Sequence, residues 1–186
     1  MRLDHIAFRV CCRHKTAQFF SDTLGYTIGT EFQIEFDDHS KADCIALVPP
    51  ENRHPDTSNW IYHSLITAPY APVKCQFHTP PEIFVSDGPE GSIVGDWVRE
   101  RQGIGGVHHL AYCVSKASDV KDTMEEWKEK GYAEFLSEEP LTCPGLTQVF
   151  TKPSQLTGVI IELIHRTGAG FCKDNVRNLM LSTVNS

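Results

Sequence analysis

The sequence lacks any run of about 18 consecutive apolar residues, the length a bilayer-spanning helix needs. It also lacks a basic excess: its 186 residues carry 17 Lys and Arg against 24 Asp and Glu, a formal net charge of −7. A nucleic-acid surface requires a positive face, so neither a membrane nor a nucleic acid is an expected partner. The first strand pattern begins at the third residue with no apolar h-region before it, so no signal peptide is read there. Seven cysteines are an odd number in a chain without an export signal. That argues against a disulfide framework and for reduced thiols in a cytoplasmic protein. The remaining composition, 40% hydrophobic and 22% charged residues, suits a globular chain long enough to bury a core.

Against that ordinary background one pattern occurs twice. Asp4-His5-Ile6-Ala7-Phe8-Arg9-Val10 and His108-His109-Leu110-Ala111-Tyr112-Cys113-Val114 are both short apolar strand patterns with a histidine near the start. The two lie 104 positions apart (109 − 5), and each leads into a helix pattern closed by Gly-Tyr. The first half reads as a strand from Leu3 to Cys11, a helix from Lys15 to Leu24, and strands at Tyr26–Phe36, Ala42–Val48 and Glu82–Val85. Between the last two lies an insertion near 49–81, rich in Pro, Asn, Ser and Thr, with a short strand expected at Val73–Phe77. A linker helix over Ser92–Arg101 and glycines Gly103, Gly105 and Gly106 deliver the second half. There the pattern predicts a helix N-capped by Ser118 and running to Lys130. Strands follow at Glu134–Leu136, Thr147–Lys152 and Gly158–His165, then an extra helix over Lys173–Val184. The expected fold is α+β. Two β-α-β-β-β modules, over 1–103 and 104–186, form an open cup of mixed sheet with an additional C-terminal helix.

Strand side chains alternate between faces. The alternation groups Leu3, His5 and Ala7 on one strand, Val107, His109 and Ala111 on another, and Ile160, Glu162 and Ile164 on the last. Each face is apolar apart from one ionisable group. Two imidazoles and a carboxylate converging on a divalent ion would remove the cost of burying that carboxylate. Two histidines with one carboxylate also form the facial set of non-haem Fe(II) oxygenases, which leaves positions open for substrate and O2. The same pattern admits two core histidines bonded to backbone and a solvent-facing Glu162.

The duplicated modules with a histidine on each leading strand resemble the vicinal oxygen chelate superfamily. That superfamily spans glyoxalases, bleomycin-resistance proteins, methylmalonyl-CoA epimerases and dioxygenases. The second half is most similar to the catalytic C-terminal half of the 4-hydroxyphenylpyruvate dioxygenases. The matching text is Gly106-Val107-His108-His109-Leu110-Ala111, Leu146-Thr147-Gln148-Val149-Phe150-Thr151-Lys152-Pro153, Ile161-Glu162-Leu163-Ile164-His165-Arg166, and Gly170-Phe171 before a final helix. The resemblance implies that His5, His109 and Glu162 hold Fe(II). It also implies that Gln148 sits beside the substrate and that Phe150 and Phe171 clasp an aromatic ring, although core packing and an ordinary strand amide explain these residues equally well.

The match departs from the dioxygenase pattern in three places. Full-length members carry another domain pair before the catalytic one. Their substrate-positioning residues do not appear in Pro80–Asp87. Glu82 stands there instead, near where epimerases and glyoxalases supply a fourth ligand, and it reads either as that ligand, as a base, or as a rim carboxylate. Four ligands would suit Co, Ni, Zn or Mn and proton transfer.

Two enzymatic functions therefore follow from the resemblance. One is an Fe(II)-dependent dioxygenase-like oxidoreductase acting on a 2-oxo acid related to 4-hydroxyphenylpyruvate. The alternative is a metal-dependent isomerase or lyase of the epimerase or glyoxalase type. A small-molecule-binding resistance protein ranks behind both. The expected partner is a small-molecule substrate, and a homodimer is consistent with the superfamily. His108 is expected to point to the face opposite His109 as a packed or hydrogen-bonded residue. His165 and Arg166 are expected to anchor structure. Surface roles are expected for His39, His54, His63 and His78, and Cys11, Cys12 and Cys113 are expected to be buried small residues.

Overall fold

The computed structural model describes residues 1–50, 80–167 and 171–183. Most of the expected insertion, including the strand at Val73–Phe77 and His54, His63 and His78, lies outside the described residues, as does Val184. The elements run β1 (Arg2–Arg9), α1 (Arg13–Leu24), β2 (Thr27–Glu35), β3 (Lys41–Val48), β4 (Glu82–Asp87) and α2 (Ile93–Glu100). They continue with β5 (Gly106–Cys113), α3 (Ala117–Glu129), β6 (Leu141–Cys143), β7 (Leu146–Phe150), β8 (Ile160–Arg166) and α4 (Lys173–Ser182). The eight strands among the described residues join one curled mixed sheet in the order β2-β3-β4-β1-β5-β8-β7-β6. The two leading strands lie antiparallel at its centre, and each pairs in parallel with the last strand of its own half.

Local sequence explains where several elements begin and end. Gly25 closes α1 in the left-handed region, at φ 74, where a side chain would be strained. Ser92 caps α2 by accepting a hydrogen bond from the Gly95 amide, which satisfies a donor the helix leaves free. Ser118 does not cap α3. The cap falls at Lys116, whose amide donates to the Asp119 carboxylate at 3.1 Å. That reach back from the third helical position also fixes the turn, and it moves the start two residues earlier.

The strand expected at Glu134–Leu136 is reduced to a single bridge between Phe135 and Thr151. β6 at Leu141–Cys143 takes its place beside β7. Its three residues are too few for period-two alternation to register.

One face of the sheet packs against α1 through Ile45, Leu47, Ile83 and Val85 in the first half. In the second half Val149 and Leu163 meet Val120 and Met124 of α3. The other, concave face carries His5, Ala7, Phe84, Phe150 and Glu162 and is covered by α4 with Phe171. Each fully buried aliphatic side chain here contributes about 1.5–3 kcal/mol relative to exposure.

Two β-bulges interrupt the central strand pair. Leu3 pairs with Tyr112 and His5 with Ala111, so Asp4 is an extra residue on β1. Ala7 pairs with His109 and Phe8 with Val107, so His108 is an extra residue on β5. Each bulge sits one residue before a candidate histidine. This overturns the simple alternation on β5: Val107 is 37% exposed instead of sharing the buried face of His109 and Ala111. A bulge places two residues against one and re-aims the side chains beside it.

Candidate metal centre

His5 from β1, His109 from β5 and Glu162 from β8 meet on the concave face. Glu162 Oε2 lies 3.2 Å from His5 Nε2 and 3.3 Å from His109 Nε2, and the two Nε2 atoms are 3.3 Å apart. All three residues are buried, Glu162 to 1% exposure. Three lone-pair donors thus form a nearly equilateral triangle in a mostly apolar cavity, where no Lys or Arg among the described residues forms an ion pair with the carboxylate. Ligand atoms about 2.1 Å from one ion lie about 3.0 Å apart when they meet at right angles, and about 3.4 Å apart at a tetrahedral angle. The observed edges fall between these values, so the residues present fit a divalent ion.

The electrostatics agree with a ligand set. Burial alone pushes the Glu162 carboxyl up, but the facing His5 and His109 imidazoles outweigh it and hold the group at about 2. Burial lowers His109, against the pull of Glu162, and keeps its imidazole neutral. Neutral imidazole and ionised carboxylate are the forms that bind metal. His109 Nδ1 lies 3.0 Å from His108 Nδ1. An ion bound at Nε2 would leave the His109 proton on Nδ1, where His108 can accept it, which would fix the ring's tautomer and orientation. His108 is itself held well below its usual range by burial, then by Arg9, so it remains an acceptor. His5 has no such support, and its Nδ1 is buried without a partner.

The other expected site residues divide. Gln148 is buried and lines the same cavity. Phe150 packs edge-on against the His109 ring at 5.6 Å, and Phe171 edge-on against His5 at 5.0 Å. Both phenylalanines therefore press on the imidazoles. The cavity volume is about 30 Å³, room for about one water. Its cover is Phe171 with Val176, Leu179 and Met180 of α4.

Glu82 stands apart from the triangle. It pairs in register with His5 on the neighbouring strand, and its Oε2 accepts from Arg166 at 2.9 Å. Arg166 also binds the buried Asp4, with Nη2 to Oδ1 at 2.8 Å. This agrees with the anchoring role expected of it, while His165 lies 3.3 Å from the Val114 carbonyl. Superposing the registers of the two halves identifies the residue that does occupy Glu162's counterpart. His5 faces Glu82 and Ala7 faces Phe84; His109 faces Ile160 and Ala111 faces Glu162. Phe84 is therefore the counterpart of Glu162, and a phenyl ring cannot ligate.

Sequence reasoning missed the roles of three residues. His108 does not point away but is brought by its bulge to the cavity, against His109. Asp4, also a bulge residue, is buried and ion-paired. Arg9 lines the same cavity. The readable sign of the bulges was the polar doublet: Asp4-His5 and His108-His109 each place two polar residues in succession in an otherwise apolar strand. Cys11 is exposed, not buried, and Cys12 and Cys113 are half-buried. His39 is exposed, as expected.

Comparison with known proteins gives the architecture its relatives. No curated protein matches the sequence. A methylmalonyl-CoA epimerase from Mycobacterium tuberculosis is 18% identical with a TM-score of 0.57, covering 90% of this chain and 89% of its own. A variant of the Streptomyces coelicolor methylmalonyl-CoA epimerase, in complex with 2-nitronate-propionyl-CoA, is 18% identical with a TM-score of 0.56, covering 90% of this chain and 99% of its own. A variant of 4-hydroxymandelate synthase from Streptomyces coelicolor is 17% identical with a TM-score of 0.70, and it covers 97% of this chain but 52% of its own. At these identities the likeness is one of fold. The sequence profile that spans residues 2–163 is more specific, and on it the chain belongs to the Glyoxalase/Bleomycin resistance protein/Dioxygenase superfamily.

Proposed function

We propose that the chain is a metal-dependent enzyme whose ion is held by His5, His109 and Glu162. Its activity is that of an Fe(II) dioxygenase acting on a 2-oxo acid related to 4-hydroxyphenylpyruvate. The observation that carries this reading is the pairing of a complete His-His-Glu triangle with Phe84 at the fourth pseudo-symmetric position. Three protein ligands leave room for a chelating substrate and O2, whereas a fourth carboxylate or amide would close one of those positions. A bound Fe(II) would supply a chelation point for the carboxylate and keto oxygens and a place to activate O2.

The chain's own residues do the rest. His108 holds the His109 ring through Nδ1. Phe150 and Phe171 exclude water and present aromatic surface to a ring. Gln148 offers an amide to a polar substituent. Because a 2-oxo acid exceeds the cavity volume, its entry displaces Phe171 and the inner face of α4. The test is O2 uptake by the Fe(II)-loaded protein over a panel of 2-oxo acids, with His109→Ala as control. Uptake that needs both metal and an aryl 2-oxo acid is expected. Stoichiometric metal binding without uptake on any acid would rule the reading out.

The second reading is an isomerase or lyase, supported by epimerases that match the chain almost end to end. In it the ion, which could be Co, Ni, Zn or Mn, polarises a carbonyl while a carboxylate removes the adjacent proton. Glu82 is the candidate, freed from Arg166 as the site opens. Solvent deuterium exchange α to a carbonyl, lost in Glu82→Gln, would select this reading.

A further inference from the structure

Arg9 is an unusual residue in this cavity. It lies two positions beyond Ala7 on the β1 face that carries His5, and it is 2% exposed. Its Nη2 donates to Thr183 Oγ1 at 2.8 Å, while Nη1 is buried with no partner. No carboxylate among the described residues forms an ion pair with it. Its ring neighbour is Trp97, at 5.7 Å, which also carries Arg101 at 3.7 Å. Thr183 ends α4, and the negative end of that helix offsets part of the cost of burying the cation. It does not satisfy Nη1. Burial, and then Arg101, bring the guanidinium down to about 9, so it stays charged at neutral pH.

The fold itself does not require a cation here. By the registers that make Phe84 the counterpart of Glu162, Arg9 and Ser86 are the counterparts of Cys113 and Ile164. In the second half that corner is apolar: Ile164 packs with Ala111 and Leu146, and Cys113, Cys143 and Cys172 pack against them. In the first half the corner holds Arg9 and Ser86, with His108 of β5 also lining the metal cavity beside them. The lining of one cavity therefore combines the candidate metal-binding group, the phenyl ring of Phe84 and a buried cation with an unused donor.

We propose that Arg9 is the specificity-determining residue of the site. It binds a second anionic group, a carboxylate, at the end of the substrate remote from the 2-oxo acid. The proposal rests on the reading that the triangle chelates a 2-oxo acid, and it narrows the substrate class to 2-oxo acids with a distal anion. A carboxylate meets Nη1 in a dry cavity, where a charge-assisted hydrogen bond is strongest.

The test uses acids matched in shape that differ only in the distal charge. One pair is 4-carboxyphenylpyruvate and 4-methylphenylpyruvate; the other, with a shorter reach, is 2-oxoadipate and 2-oxohexanoate. Binding to the Co(II)-loaded protein is measured anaerobically by calorimetry, and the cobalt visible spectrum reports chelation separately. In at least one pair the diacid is expected to bind more than about tenfold tighter. That advantage should disappear in Arg9→Met and persist in part in Arg9→Lys. The wild-type comparison stands even if Arg9→Met fails to fold. Equal affinity within both pairs, with the spectrum shifted by all four acids, overturns the role of Arg9 and leaves chelation intact. Arg9-dependent binding of a diacid without any spectral shift keeps Arg9 and overturns the 2-oxo acid reading. No binding by any of the four overturns both.

Discussion

The two halves of the sheet share one plan and spend it differently. Each places a histidine one residue after a bulge, on strands that run antiparallel through the centre. The second half adds Glu162, and its bulge residue His108 lies against the candidate ligand His109. The first half puts Phe84 where Glu162 has its counterpart, and its bulge residue Asp4 turns to Arg166. The same backbone device therefore faces the candidate metal centre on one side and an ion pair on the other. A duplicated scaffold fixes where side chains converge, and the side chains decide which corner becomes a ligand, a wall or an anchor.

Removing a donor breaks the comparison most severely. Glu162→Gln or His109→Ala should weaken metal binding by more than about a hundredfold, beyond the range seen when only an outer partner is lost. Metal titration followed by calorimetry checks this, and unchanged affinity would place the ion elsewhere. Restoring symmetry is the complementary change. Phe84→Glu supplies the missing counterpart of Glu162, so it should tighten Co(II) or Zn(II) binding by about tenfold while abolishing O2 uptake, because an open position closes.

Next in size is the support of the histidines. His108→Phe should cost about tenfold in metal affinity, since His109 then loses the acceptor for its Nδ1 proton. Equal affinity would mean that the His109 ring is held by Phe150 alone.

The anchor in the first half should respond in stability, not in metal binding. Arg166→Met leaves the buried Asp4 without its partner and should cost about 3 kcal/mol in urea unfolding. Glu82→Gln, at a half-exposed position, should cost less than about 1 kcal/mol.

Acid sharpens the contrast further. In the metal-free protein His108 and His109 are held below their ordinary value of 6.5, so below that pH the unfolded chain takes up protons that the folded chain refuses. Stability should therefore fall as pH drops below 6.5. Glu162 is held at about 2, and its depressed value adds stability above the unfolded carboxyl range that is lost only as pH falls from there toward 2. Unfolding midpoints at pH 7.5, 6.0 and 5.0 should show the first loss, and His108→Phe should make it shallower.

Much of this could be read from the chain. The repeat of Asp4-His5 and His108-His109 locates the two leading strands, because a half-buried strand must alternate and a duplicated fold must return its second histidine to the same depth. Glu162, alone among apolar neighbours on β8, is visible for a related reason: an ionised carboxylate in such a strand needs a partner. The end of α1 and the start of α2 follow from Gly25 and Ser92, whereas α1 begins at Arg13, two residues before the expected Lys15, with no side-chain cap to mark it. β6 was not legible, since three residues carry too little pattern.

What the sequence by itself determined is the candidate donor set and the repeat that pairs its histidines, because residue type and place within each repeat are recorded in the chain even where a bulge interrupts the strand period. Only the tertiary structure decided what those groups meet. Strand register is a long-range pairing, and a one-residue slip exchanges every face. A two-residue shift would keep the faces, and it is register at that scale, which local pattern does not record, that sets Phe84 and not Glu82 opposite Ala7. Two bulges that local pattern records only as polar doublets turn His108 toward His109 and Asp4 toward Arg166. The closing of α4 over the sheet is what leaves Arg9 charged and buried with a donor unused.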